Sequence, residues 1–146
     1  AFYYVYRRLM DNHVIKNVPI LLNTYYPPNQ VPVKRCYLLG QKLREIIEAW
    51  ASNTRVALIA SGGLSHFVIE EDLDEQIIDG LKTKNADKLT SLPDNRFHSG
   101  TSEIRSWITM AGALADTELE MKLVDYVPCY RTEAGTGCAM GFAEWQ

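Results

Sequence analysis

The pattern of apolar and polar positions divides the chain into helical and strand-like segments. From Lys34 to Trp50 apolar residues recur every three or four positions, with charged residues between them, which predicts an amphipathic helix. The same spacing predicts helices after the acidic residues 70–72 and from Glu103 onwards, and a shorter helical stretch over 86–92. An apolar-faced helical pattern also covers 2–10.

Four segments have the composition of strands. The short apolar runs at 17–23 and 56–60 are typical of fully buried strands, whereas 119–123 alternates as a half-exposed strand does. The last candidate is 137–145, and three prolines within 24–33 predict a stiff loop between the first two runs. Because strands separated by helices are typical of layered folds, we predict the α/β class, with a central, mostly buried sheet flanked by helices.

The composition is that of one ordinary globular domain. The chain has 146 residues, of which 47% are hydrophobic and 23% charged, and its net charge is -3. Without a basic block it carries no electrostatic footprint for nucleic acid, and no apolar run is long enough to span a bilayer. Three cysteines without CxxC spacing favour reduced thiols in a cytoplasm over a disulfide framework or a zinc site.

The segment Ser61-Gly62-Gly63-Leu64-Ser65-His66 is the first candidate site. It follows the predicted strand 56–60, so His66 would lie at the carboxyl end of a strand, where open α/β sheets bind ligands. Neither GxxxxGK[ST] nor GxGxxG is present, and Phe67 stands where a nucleophile elbow requires glycine. Two interpretations of His66 remain open. It is either a satisfied histidine in a tight turn or a general acid or base, since the ordinary pKa of histidine lies near neutral pH.

Glu103, in Gly100-Thr101-Ser102-Glu103, is the second candidate. A carboxylate at the start of a helix stabilises the helix dipole by about 0.3–1 kcal/mol and needs no further role. Alternatively, a carboxylate and a histidine on separate elements are a pairing that metal and proton-transfer sites use. His13 and His98 have polar neighbours and are predicted to lie on the surface.

Three stretches together resemble one enzyme family. They are ALIASGGLSH at 57–66, GTSE at 100–103 followed by Trp107, and NTYYPP to RCYLLG within 23–40. These segments resemble the class III (LigB-type) extradiol ring-cleaving dioxygenases, the family of gallate dioxygenase and of the catalytic subunit of protocatechuate 4,5-dioxygenase. The similarity runs in register over essentially the whole chain.

The resemblance implies a non-haem Fe(II) held by two histidines and one glutamate, with open positions for a catecholic aromatic acid, such as gallate or protocatechuate, and for O2. Glu103 matches the glutamate ligand. His66 matches the acid/base histidine that deprotonates the ring hydroxyl. Residues 130–137 resemble the segment that helps bind the ring carboxylate. Thr132 is the first candidate for that contact, and Thr136 and Arg131 are alternatives. The other interpretation is that these three residues only form a glycine-containing connection into the last strand.

The two iron-binding histidines of the family precede the counterpart of Ala1, and neither His13 nor His98 matches them. We therefore expect residues 1–146 to be the C-terminal portion of a single LigB-like domain, inactive alone and completed by a preceding segment, a partner chain or a homo-oligomer. The helical pattern at 2–10 agrees, since no capping residue precedes it. Two non-catalytic alternatives remain: a Memo-like binding protein on the same scaffold, and an α/β interaction domain in which both motifs are structural.

Overall fold

A computed structural model describes residues 3, 5–13 and 15–146. The predicted helical pattern at 2–10 lies partly outside these residues, and its described part contains a short π-helix. Within the described chain no helix is long and apolar enough to cross a membrane. The elements in chain order are the π-helix Val5–Leu9, α1 Val33–Ala49, β1 His66–Val68, α2 Glu71–Lys82, α3 Ala86–Thr90, the 3-10 turns Asp94–Phe97 and Ser99–Thr101, α4 Ile104–Leu114, β2 Met121–Tyr130 and β3 Thr136–Trp145.

Helices α1 and α4 pack backbone against backbone. A Cβ atom on Gly40 of α1 would lie 2.0 Å from the carbonyl oxygen of Thr109, and one on Gly112 of α4 would lie 2.0 Å from that of Tyr37. A larger residue at either glycine would push the helices apart, so this contact requires glycine on both sides.

The three strands form one antiparallel sheet in the order β1-β3-β2. Along β3, Ala139 is fully buried, whereas Met140 and Phe142 on the opposite face are 45% and 52% exposed. A Cβ atom on Gly141 would lie 3.4 Å from Trp107 of α4, so the Ala139 face packs on the helices. The α/β class is confirmed. The sheet was predicted to be mostly buried and flanked by helices, but in the described chain helices cover one face and the other is exposed.

The core lies between this sheet and the helices. The apolar stripes predicted for α2 and α4 are buried. The apolar stripe predicted for α1, which includes Ile46 and Trp50, is not the buried face of that helix. Ile46 and Trp50 are each 58% exposed, whereas Cys36 and Gly40 are buried. The fully buried core side chains include Leu64, Leu73, Ile77, Leu89, Phe97, Ile104, Ile108 and Ala139.

The strands predicted at 17–23 and 56–60 do not form in the described chain, and both predictions are wrong. Val56 and Ile59, expected inside the sheet, are 46% and 50% exposed. A strand forms only where a neighbour pairs its backbone N–H and C=O groups, and the described ladders join β1, β2 and β3 alone. An apolar run predicts burial but does not supply that neighbour.

Candidate active site

His66 is the first residue of β1 and lies opposite Cys138 of β3, rather than past the end of a strand at 56–60. Two glycines make room for it. A Cβ atom on Gly63 would lie 1.9 Å from Nε2 of His66, and one on Gly100 would lie 1.9 Å from the His66 carbonyl oxygen. The imidazole therefore lies directly against the backbone of Gly63, while the backbone of Gly100 covers the His66 peptide.

Backbone strain follows His66 immediately. Phe67 has φ of +66°, a left-handed conformation that costs a bulky residue about 1–2 kcal/mol. The pairing of Phe67 with Gly137 in β3 holds the residue in this conformation. Because such strain clusters at functional sites, it supports this end of β1 as the candidate site.

Glu103 immediately precedes α4 and contacts the glycine turn. Its Oε2 accepts a hydrogen bond from the N–H of Gly63 at 2.9 Å, and a Cβ atom on Gly62 would lie 3.0 Å from the Glu103 Cβ. The indole Nε1 of Trp107, one turn along α4, donates to the carbonyl of Gly62 at 2.9 Å. Gly63 thus touches both the Glu103 carboxylate and the His66 imidazole, so the fold brings the two sequence motifs together.

A buried carboxylate anchors the residue before His66. The N–H and the Oγ of Ser65 donate to the two carboxylate oxygens of Asp74 at 2.9 Å and 2.6 Å. The hydroxyl of Tyr126 donates to the same carboxylate at 2.9 Å, and Ser65 Oγ accepts from the N–H of Glu70 at 2.9 Å. These contacts fix the position at which β1 begins.

Burial dominates the electrostatics of this network. It raises the pKa of the Asp74 carboxyl above the usual range, while the hydrogen bonds from Ser65 and Tyr126 oppose the shift. The pKa of the Tyr126 hydroxyl is also raised, first by burial and then by its bond to Asp74. The network therefore favours protonated Asp74 more than an exposed aspartate would, and keeps Tyr126 a donor.

The imidazole of His66 has an unpaired nitrogen. Its Nε2 is enclosed by protein and, within the part of the chain that the structure describes, has no hydrogen-bond partner. A buried polar atom without a partner is costly, so a reacting or binding group that pairs with Nε2 would be stabilised. Nε2 of imidazole accepts a proton or donates one according to its protonation state.

The three candidate substrate residues lie together at the turn between β2 and β3. The hydroxyls of Thr132 and Thr136 are 2.7 Å apart, and the N–H of Arg131 donates to the carbonyl of Thr136 at 2.7 Å. Arg131 and Thr132 line an open, shallow cleft at this turn. Thr136 lies opposite Val68, the last residue of β1, whereas His66 is its first, so the cleft and the histidine occupy opposite ends of one short strand.

The described residues do not complete a metal site by themselves. Among them, no three histidine, cysteine, aspartate or glutamate side chains come together in a way that could hold a metal ion. Among the described residues, Glu103 is the one that the resemblance implies as an iron ligand. His13 and His98 are exposed, as predicted.

Arg105 and Asp74 are buried charged residues near the site that sequence reasoning missed. Arg105 is 1% exposed, and its guanidinium donates to the carbonyls of Val31 at 2.7 Å, Thr24 at 3.1 Å and Phe97. It thereby ties the proline-rich loop to α4. Burial lowers the pKa of Arg105 from its ordinary value.

The sequence carried a signal for both residues. Asp74 precedes Ile77 and Ile78 by one helical turn, and Arg105 precedes Ile108 by one turn. Residues three or four apart share a helix face, so each charged residue lies on a stripe predicted to be buried. A lone charge on such a stripe indicates a buried polar network.

Comparison with known proteins identifies the family. The family model for the catalytic LigB subunit of aromatic ring-opening dioxygenase matches residues 2–137. The chain belongs to this family. This LigB-family chain is also 32% identical over 100 residues to gallate dioxygenase of Pseudomonas putida, in an alignment that covers 59% of the chain and 29% of that relative. The alignment therefore spans less than a third of the length of the gallate dioxygenase. The family model confirms the resemblance to the LigB family.

Proposed function

We propose that this LigB-family chain contributes an acid/base histidine and one iron ligand to an extradiol dioxygenase, which opens the ring of a catecholic aromatic acid with O2. The convergence of His66 and Glu103 on Gly63 carries the proposal. Family membership and the similarity to a gallate dioxygenase support the ring-opening reaction and the substrate class. Gallate and protocatechuate are the substrates we propose.

In this proposal the imidazole of His66 takes a proton from a ring hydroxyl when the catechol binds. Because the described residues enclose Nε2 without pairing it, the ring has to shift away from Gly63 before this nitrogen can accept the proton. The same nitrogen returns the proton as the ring opens. The Gly63 backbone against the imidazole limits the approach of water from that side, which favours transfer to substrate over exchange with solvent.

Glu103 is the proposed ligand to Fe(II), which supplies the oxygen chemistry when bound. The hydrogen bond from Gly63 orients the carboxylate, and such bonds fix the geometry of ligating groups. Because the described residues offer one ligand of the set, we propose that two histidines from outside 1–146 supply the others. Residues 1–146 then act as the C-terminal portion of one LigB-like domain.

The hairpin cleft is the proposed subsite for the ring carboxylate. The hydroxyls of Thr132 and Thr136 provide hydrogen-bond donors, and Arg131 in the same turn provides a positive charge. A carboxylate pairs favourably with both groups. We propose Thr132 as the principal contact.

Two further observations support proposals about the oligomeric state and the cellular compartment of the protein. The open sheet face carries Met140 and Phe142, and exposed apolar area of this kind favours association, so we propose a homo-oligomer or a partner chain or segment that covers the site. The three cysteines are free, which supports a cytoplasmic location, where thiols stay reduced.

A chimera tests the proposal. This chain would replace the matching segment of the Pseudomonas putida gallate dioxygenase, and the product would be loaded anaerobically with Fe(II). Oxygen uptake and formation of ring-opened product would then be measured with gallate and with protocatechuate. We expect turnover by the chimera and none by the chain alone.

Substitutions in the chimera separate the two roles. His66→Gln should lower kcat by about 10²–10⁴-fold with iron content unchanged, since it removes a general acid/base. Glu103→Gln should lower iron content itself. The exposed His98→Gln is the matched control and should change neither quantity. A folded, iron-loaded chimera that binds the catechol without oxygen uptake would instead indicate the Memo-like binding role. Full activity of both His66→Gln and Glu103→Gln would indicate the other alternative, in which both motifs are structural.

A further inference from the structure

Two of the cysteines are direct neighbours across the sheet. Cys129 of β2 lies opposite Cys138 of β3 in the strand register, and both thiols are free. The third, Cys36, is fully buried in α1 on the other side of the core. Nothing in the proposed ring-opening reaction uses Cys129 or Cys138.

The register places these two residues at a Cα spacing that a disulfide can span. Arg131 and Thr136 form a hydrogen-bonded pair, in which the N–H of Arg131 donates to the carbonyl of Thr136 at 2.7 Å. Hydrogen-bonded pairs recur at every second position of an antiparallel ladder. Cys129 and Cys138 lie two positions along the ladder, so they are also a hydrogen-bonded pair. Directly opposed residues of that type have Cα atoms about 5.5 Å apart and side chains on one face. Disulfides span Cα distances of about 4.4–6.8 Å, so an S–S bond fits without a change of register.

In the chain by itself, the pair is open to small oxidants. Cys129 is exposed and Cys138 is half-buried, and the sheet face that carries them also carries the exposed Met140. Cys36, by contrast, has no exposed surface. Oxidation susceptibility follows exposure, which makes Cys129 the first thiol to react.

We propose that Cys129 and Cys138 form a reversible dithiol–disulfide site for peroxide-class oxidants. The Cys129 thiolate attacks one oxygen of hydrogen peroxide, the O–O bond breaks, and the departing hydroxide takes a proton and leaves as water. The Cys138 sulfur then attacks the resulting sulfenic acid, its S–H proton is lost, and the S–O bond breaks to release a second water. Two thiols are oxidised by two electrons, and one peroxide is reduced to two waters.

This site does not depend on the ring-opening reaction, because it rests on the β2–β3 register alone. It nevertheless lies beside the candidate active site, since Cys138 pairs with Cys129 on one side and with His66 of β1 on the other. The bond would close a loop over residues 129–138, which includes the hairpin turn. Exposed disulfides of this kind are readily reduced, so the modification is reversible.

The test treats the metal-free chain with equimolar hydrogen peroxide and then removes the excess with catalase. Thiols are counted in denaturant, and the linked peptides are identified by mass spectrometry. We expect the count to fall from the three free cysteines to one, with a Cys129–Cys138 peptide in monomeric chain and full recovery after dithiothreitol. Cys36→Ser should form the same link, whereas Cys138→Ser should hold a sulfenic acid on Cys129 that dimedone traps.

Three outcomes would overturn the proposal. They are an unchanged thiol count, a disulfide that involves Cys36 or joins two chains, and direct overoxidation of Cys129 to a sulfinic acid in the chain with all cysteines present. Circular dichroism before and after treatment checks that the chain is folded, so that a link formed in unfolded protein counts against the proposal.

Discussion

Asp74 offers the most direct test of how the core positions the candidate site. Its carboxylate is fully buried and accepts hydrogen bonds from the Ser65 N–H, the Ser65 hydroxyl and the Tyr126 hydroxyl at 2.9, 2.6 and 2.9 Å. Asp74→Leu would fill a similar volume but remove every acceptor. Asp74→Asn would keep one oxygen for the Ser65 N–H and place an amide donor against the two hydroxyls. Both variants should therefore be less stable than the wild type.

The expected losses follow from the unpaired donors. A donor left buried without a partner costs about 1–3 kcal/mol. The Ser65 and Tyr126 hydroxyls can rotate toward other acceptors, but the Ser65 N–H is fixed in the backbone. Removal of a buried charge also recovers part of its desolvation cost, so we expect a net loss of about 2–4 kcal/mol for Asp74→Leu and about 1–2 kcal/mol for Asp74→Asn.

The pH dependence has a defined sign. Burial raises the pKa of folded Asp74 above the ordinary value of 3.8, so the folded state binds this proton more tightly than the unfolded state. The stability that this contributes is fully present below pH 3.8 and is lost as the pH rises through the raised pKa of folded Asp74. Asparagine does not titrate. The advantage of wild type over Asp74→Asn should therefore be greatest in acid and shrink as the pH rises.

Urea unfolding at a series of pH values measures both quantities. The matched control is Asp79→Asn on the same helix, where a half-exposed carboxylate pairs with Lys88; exposed pairs contribute about 0–1 kcal/mol. The reasoning is refuted if Asp74→Asn is no more destabilising than Asp79→Asn. It is also refuted if the advantage of wild type over Asp74→Asn grows with pH.

Three further predictions concern residues around the site. Gly63→Ala places a Cβ atom 1.9 Å from Nε2 of His66 and should shift the His66 imidazole signals in NMR spectra while those of the other two histidines stay; unchanged His66 signals would contradict the packing. Arg105→Lys keeps the charge but loses the planar donor fork and should cost about 2–3 kcal/mol in urea unfolding, whereas an unchanged midpoint would contradict its role. Trp107→Phe removes the bond to the Gly62 carbonyl and should cost about 1 kcal/mol by thermal unfolding; no loss would show that bond to be dispensable.

Helices were predictable here because their signal is local. The predicted helix over 34–50 forms as Val33–Ala49, since a repeating apolar spacing is a property of the segment itself. Its buried face was not predictable in the same way. Gly40 is buried on it because the backbone of α4 comes close enough to exclude a side chain, and a stripe defined by large apolar residues does not include glycine.

Strands were less predictable because they need partners. The segments predicted around 121 and 137 are joined by a short turn, and they pair with each other as β2 and β3. The more apolar run at 56–60 has no described strand beside it and does not form a strand. The motifs at His66 and Glu103 could be found from the sequence, and the family model supports the resemblance they indicated. The part played by Gly63 in joining them could not, because it depends on a contact across 40 residues.

The two buried charged residues, Asp74 and Arg105, explain how His66 and Glu103 are positioned although the strand predicted at 56–60 does not form. Asp74 fixes Ser65 from α2, and Ser65 leads directly into His66. Arg105 fixes the proline-rich loop from α4, two residues after Glu103. Each buried charge carries a desolvation cost that an apolar residue would avoid. Each offsets that cost through hydrogen bonds, some of which reach segments without regular structure, namely Ser65 for Asp74 and the loop residues Thr24 and Val31 for Arg105. The positions of the histidine and the carboxylate are therefore set by the helical layer rather than by the loops that carry the sequence motifs.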